Sequence, residues 1–150
     1  ADLREIDLPL LDEPEHPRLR RYQHEHTKAW SATVEAADAF VFVTPEYNFS
    51  MPAPLANALD YLSQEWAYKP AMICSYGGVS AGLRASAQLK QLLQSLSVPV
   101  IQPAVSIPFV QQFVVDDGAR IEPNDVMRNA VPAALDELAR WEQAMRTLRA

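Results

Sequence analysis

Two uninterrupted apolar runs constrain this chain more than any other feature. Ala39 to Val43 reads AFVFV, and Ala71 to Tyr76 reads AMICSY. Side chains alternate between the two faces of a sheet, so a strand with one wet face carries polar residues at every second position. A run that is apolar throughout predicts a strand covered on both faces, as in a parallel sheet flanked by helices. Around the runs, apolar residues recur at three- and four-residue intervals. From Pro17 to Ala37 they include Leu19, Tyr22, Ala29, Trp30 and Val34, and Pro17 suits a helix's first turn. Leu55, Leu59 and Leu62 share a second helical face, with Ser50 expected to cap that helix and Pro52 to occupy its first turn.

Ser80 to Ser97 predicts a third helix, and Val98 to Ile101 with Ala104 to Ile107 predict one more strand region in two pieces. The Asp-Gly turn within QFVVDDGARIE predicts a small hairpin. A long amphipathic helix closes the chain, started by Pro123 and open to a kink at Pro132. Residues 3 to 8, with Leu3, Ile6 and Leu8, are expected to form a short opening strand. Strands alternating with helices define an α/β fold, a three-layer sandwich around a parallel sheet. The length of 150 residues fits one domain.

Charge and motifs narrow the function. A net charge of −6 argues against general nucleic-acid binding, which needs a basic surface. Arg18, Arg20 and Arg21 are read as a solvated helix face. No apolar run approaches the ~20 residues that span a membrane, and no leader is visible. The single cysteine, Cys74, cannot form an internal disulfide and is read as a structural thiol. His16, His24 and His26, on the proline loop and the first helix, are read as polar helix surface, and the two-residue spacing of His24 and His26 keeps them from sharing a helix face as metal ligands would. Metal-binding spacings, a nucleophile elbow and a complete dinucleotide fingerprint are all missing from the sequence.

Ligands of open parallel sheets bind beyond the carboxyl ends of the strands. Two loops leave the apolar runs at that edge. The first holds Pro45, Glu46, Tyr47 and Asn48. Its proline stiffens the backbone, Asn48 carries donors and an acceptor, and Tyr47 can cover a ring. The second holds Ser75, Tyr76, Gly77 and Gly78, followed by Gly82 at the mouth of a helix. Glycines there let a ligand approach the backbone, and a helix start offers free N–H donors. Taken singly, Glu46 also reads as a solvent-facing charge, Tyr47 as a rim aromatic, and the glycines as a plain turn.

The stretch AADAFVFVTPEYNFSMPAPLANALDYLSQEWAYKPAMICSYGGVSAG resembles the NADPH-dependent FMN reductase family. The resemblance rests on PEYN, then Ser50, Pro52, Leu55, Asn57, Ala58, Asp60, then Lys69-Pro70, and covers about Ala29 to Pro108 well. It implies a flavodoxin-like sheet in strand order 2-1-3-4-5, with residues 3 to 8 as the second strand and 39 to 43 as the third. The first strand, its phosphate loop and the first helix have no counterpart in the sequence, and they are expected to lie outside it. The implied cofactors are FMN and NADPH (or NADH). FMN would be bordered by Pro45, Glu46, Tyr47 and Asn48 and contacted by Ser75, Tyr76, Gly77 and Gly78. The implied activity is hydride transfer from NAD(P)H to free flavin, a quinone or a similar small-molecule acceptor, with no catalytic acid or base from the protein. The resemblance also implies a cytoplasmic homodimer or homotetramer, with no nucleic-acid or membrane partner. Phe49, Met51, Trp66 and Tyr68, with Leu59 and Leu62, are the candidates to line its contacts. A flavodoxin-like electron carrier and a flavin-free binding domain are the alternatives.

Overall fold

In the computed structural model, which describes residues 1–149, the two apolar runs are adjacent parallel strands. β1 spans Phe40–Pro45 and β2 spans Ala71–Tyr76, in register from Phe40 opposite Ala71 to Pro45 opposite Tyr76. β3, Val105–Ile107, pairs parallel with the far end of β2, giving the order β1-β2-β3. α1 is Leu3–Ile6, α2 Glu25–Glu35, α3 Ala53–Asp60 and α4 Leu83–Ser95. The Asp-Gly turn lies in an antiparallel pair, β4 (Val114–Val115) and β5 (Arg120–Ile121), as expected. α5, Asp125–Arg149, contains Pro132.

β2 has the two-sided burial that its sequence predicts. Ala71 and Ile73 join a core with Trp30, Leu59, Trp66 and Leu89, whereas Met72 and Cys74 face a second core with Ile107, Met127 and Leu138. The sheet therefore lies between a layer of α2, α3 and α4 and a layer formed by α5. At an apolar transfer value of ~25 cal/mol per Å², each fully buried large side chain in these layers contributes on the order of 2 kcal/mol.

β1 departs from its expectation. Phe40 and Phe42 pack on the first core, but Val41 and Val43 on the other face are 45% and 64% exposed. No strand lies beside its outer edge among the described residues. An apolar groove of about 410 Å³ follows that edge, lined by Leu3, Trp30, Val41, Val43, Leu55 and Trp66 among others.

Residues 3 to 8 are not a strand. Asp2 caps α1 by accepting from the Arg4 N–H at 2.9 Å, and Asp7 ends it in the left-handed region at φ 49°. A capped turn satisfies the local N–H groups without a sheet partner, while Leu3, Ile6 and Leu8 still pack on the first core. The helix expected from Pro17 to Ala37 is also shorter. Residues Pro17–Leu19 form one 3₁₀ turn, and the left-handed Arg20 (φ 52°) separates it from α2. The arginine cluster consequently spans this turn and the loop after it, with Arg20 paired to Glu35 and Glu65. Ser50 does not cap α3. Pro52 occupies the cap position, and the Ser50 hydroxyl donates to Gln88 Oε1 at 2.6 Å. The 98–107 region contributes only β3 and a single bridge from Val100 to Ala71.

Several residues of the recognised run serve the scaffold. Lys69 is buried, and its Nζ donates to the Val34 and Glu35 carbonyls, both at 2.9 Å, closing the carboxyl end of α2. The next residue's carbonyl, on Pro70, accepts from Phe40 N–H at 2.9 Å and opens the β1–β2 ladder. Asn57 holds the proline loop, donating to the Pro9 carbonyl at 2.7 Å and accepting from Leu11 N–H at 2.9 Å. Buried Glu65 fastens α2 and the segment before it, accepting from Ser31 at 2.7 Å and Tyr22 at 2.8 Å. Leu59, Leu62 and Trp66 are at most 1% exposed, so they form the monomer's core and cannot line a subunit contact. Met51 packs on the same core, while Phe49 and Tyr68 remain exposed.

Candidate functional site

The carboxyl edge of the sheet brings both informative loops together. Pro45 is opposite Tyr76, and the chain stays paired one residue further, Glu46 N–H donating to the Tyr76 carbonyl at 3.1 Å. Residues 47 to 50 then reverse direction. Tyr47 and Ser50 exchange backbone hydrogen bonds at 3.0 and 2.9 Å, and Asn48 and Phe49 between them have φ 50° and 67°. Two successive positive φ values make this a two-residue turn of the I′ kind, which suits asparagine but strains an aromatic residue.

The second loop is fixed from below. Gly77 N–H donates to the Ile107 carbonyl at 3.2 Å, and the Gly78 carbonyl accepts from Phe109 N–H at 3.0 Å. Ser75 is buried, and its hydroxyl donates to the Ala81 carbonyl at 2.9 Å, so its side chain closes the loop. Gly82 is the glycine that the geometry requires. Its φ is +78°, and a Cβ there would lie 2.8 Å from Ser75 Cβ and 2.8 Å from Tyr76 N. Gly78 differs: its φ is not in the left-handed region, and a Cβ would meet nothing within 4 Å. The expectation of a positive φ thus belongs to Gly82, while Gly78 borders open space.

That space has an apolar rim. Tyr47, Phe49, Val79 and Phe109 are all exposed at this edge. Gly78 and Val79 are exposed too, and their N–H groups make no backbone hydrogen bond among the described residues. Free donors beside an apolar rim suit a flat heterocycle with a polar edge. Burial pushes the Tyr76 hydroxyl above its ordinary value, reinforced by Tyr47 and Cys74 nearby. The Cys74 thiol is likewise raised by burial, in keeping with a structural role.

The Glu46 carboxylate is not a free surface charge. Its side chain is 5% exposed. One carboxylate oxygen accepts from the Ser80 hydroxyl at 2.9 Å and from Arg84 Nε at 2.7 Å, and the other accepts from Arg84 N–H at 3.0 Å. Burial acts to raise its pKa, but the Arg84 and Ser80 donors outweigh this and hold it below the ordinary glutamate value. Arg84, Gln88 and Phe109 escaped the sequence reading. Arg84 and Gln88 are four apart on one face of α4, a visible signal, but their partners lie 38 or 39 residues away in sequence.

His16, His24 and His26 lie far along the chain from this edge and precede β1. His24 sits at the cap of α2 rather than within it, so its ring stacks on His26 at 5.2 Å, beside Asp12. No group of three or more possible metal ligands forms among the described residues, and no helix there is long and apolar enough to cross a membrane.

A three-layer domain with glycine and PEYN loops side by side at the sheet's carboxyl edge defines a flavodoxin-like α/β protein. The family model for NADPH-dependent FMN reductase matches residues 1–112, and the chain belongs to that family. It is 46% identical to an NAD(P)H-dependent FMN reductase of Schizosaccharomyces pombe over 112 residues, covering 72% of this chain and 56% of that protein. It is 30% identical to a quinone reductase of Pseudomonas putida over 148 residues, covering 95% of this chain and 77% of that one. Among solved structures, a flavoenzyme NAD(P)H:(acceptor) oxidoreductase of Paracoccus denitrificans shares the fold, with a TM-score of 0.71 and 24% identity over 93% of this chain and 77% of its own. The chain thus spans little more than half the length of the S. pombe relative.

Proposed function

We propose that this chain forms the flavin-facing body of an NAD(P)H-dependent FMN or quinone reductase. The observation that carries the reading is the contact between the PEYN turn and the glycine loop at the carboxyl edge, in a member of this family. Pro45, Glu46, Tyr47 and Asn48 border the flavin in this reading, with Ser75, Tyr76, Gly77 and Gly78 on its polar side. The residues fit such a group: the Gly78 and Val79 N–H groups are free for carbonyl oxygens, and Gly78 leaves room for close approach. FMN supplies two-electron transfer, from a reduced nicotinamide to a small-molecule acceptor that takes its place. The protein's part is orientation and water exclusion. Tyr47, Phe49 and Phe109 provide apolar cover, and N–H donors stabilise negative charge that develops at the ring's polar edge. No side chain is needed as acid or base.

The reading takes the enzyme to be cytoplasmic and a homo-oligomer, with exposed Phe49 and Tyr68 as the remaining candidates for the contact. The test of function is steady-state oxidation of NADPH or NADH by the FMN-loaded protein, with a quinone or free flavin as acceptor. Flavin-dependent turnover is expected. No oxidation with any such acceptor would overturn the assignment.

A further inference from the structure

We infer that Glu46 is a positioning residue: with Ser80 and Arg84 it forms a latch that sets the PEYN turn against the glycine loop, and it does not itself bind the flavin. The inference rests on the flavin reading of these two loops. It starts from a strained element. Asn48 and Phe49 both hold positive φ, at 50° and 67°. Strain of this kind persists only where the surroundings over-determine it.

Here α4 supplies the restraint. Arg84 stacks its guanidinium on the Phe49 ring, 3.8 Å from the centroid. Gln88, one helical turn further on, donates to the Phe49 carbonyl at 3.2 Å and accepts from the Ser50 hydroxyl at 2.6 Å. Glu46 joins the start of the turn to the same helix through Arg84, and to the glycine loop through Ser80. Both carboxylate oxygens are thereby engaged within the protein. An acceptor already holding three donors, with a side chain 5% exposed, has little left to offer a ligand. Arg84 also places a fixed positive group at the α4 start, where the helix itself is partly positive, and Glu46 offsets it.

The latch predicts one behaviour that a flavin ligand would not show. Glu46 and Arg84 act as a unit, so removing either should do the harm of removing both. The experiment titrates FMN against the wild-type protein, Glu46→Gln, Glu46→Ala, Arg84→Met and the Glu46→Ala/Arg84→Met double variant, following flavin fluorescence. Amide exchange at Tyr47 and Ser50 is measured on the same proteins without flavin, with circular dichroism to confirm folding. We expect each single variant to weaken FMN binding about tenfold, the scale of one charge-assisted hydrogen bond. The double variant should be no weaker than the worse single one. Exchange at Tyr47 and Ser50 should quicken in every variant, and Glu46→Gln, the mildest change, should remain folded.

Additive losses in the double variant would make Glu46 a direct ligand and overturn the latch. Unchanged FMN affinity in the single variants, with Gly78→Val still weakening it, would overturn the latch and leave the flavin reading intact. Unchanged amide exchange would overturn it as well, whatever the flavin does. A wild-type protein that shows no saturable FMN binding would end the flavin reading and the positioning role together.

Discussion

Two glycines of one loop sit in opposite surroundings. Gly82 is required by the fold, because any Cβ there collides with the β2 backbone and meets a positive φ. Gly82→Ala should therefore cost ~2–4 kcal/mol, from left-handed strain together with overpacking. Gly78 has open space beyond it. Gly78→Val should leave the melting temperature of the flavin-free protein nearly unchanged and weaken FMN binding. Thermal melts and FMN titrations on both variants separate the two roles, and equal FMN affinity for Gly78→Val and wild type would remove Gly78 from the site. Glu65 gives a pH prediction. Burial acts to raise its pKa, but donors from Ser31 and Tyr22 and the charge of Arg20 outweigh it, so the folded value lies below the ordinary 4.5. Its contribution is then complete above pH 4.5 and is lost as pH falls through the lower folded value. Glu65→Gln should be less stable by roughly 1–3 kcal/mol at neutral pH, with a flatter acid limb that converges on wild type only as pH falls past the lowered folded value. Denaturant melts from pH 3 to 7 would show this, and parallel curves would contradict it.

At the scale of elements, the Lys69-Pro70 pair explains itself as a joint. The ammonium closes the end of α2 while the next carbonyl starts the β1–β2 ladder. Lys69→Met keeps the apolar stem and removes the donors to the buried Val34 carbonyl and the half-buried Glu35 carbonyl. A loss of about 1–3 kcal/mol is expected, with faster amide exchange confined to the last turn of α2. Exchange rising evenly across the chain would instead place the role of Lys69 in the global core. The elements also show what the sequence could convey. β2, the hairpin at the Asp-Gly turn and the final helix follow from local pattern, because their burial or turn chemistry is written in neighbouring residues. β1 had the same apolar run as β2, yet Val41 and Val43 are bare, since coverage depends on what packs from far along the chain. Residues 3 to 8 carry apolar residues that suit either a strand or a helical turn, and the Asp2 cap decided for the turn. In the candidate site, the meeting of the two loops at one edge was legible because each follows a strand, and the glycines marked the second loop. The Glu46–Arg84 contact was not, because 38 residues separate the partners and nothing local marks them as a pair.

For the whole molecule, the sheet sets the function by geometry. Parallel register brings Pro45 level with Tyr76, so loops leaving β1 and β2 must emerge side by side. The core then holds them, with Leu59, Ile73 and Leu89 fixing the layers beneath. Burial of Leu59, Leu62 and Trp66 in one subunit also means that any self-association must use other surfaces. The central claim is that this edge presents a flavin to a reduced nicotinamide. The measurement that tests it most directly is anaerobic rapid mixing of the FMN-loaded protein with NADPH, and separately with NADH, while the visible flavin band is recorded. The account predicts that at least one of them bleaches the band of the bound flavin within the turnover time, and that adding a quinone restores it. A protein that binds FMN but keeps the band unbleached with both nicotinamides would contradict the account.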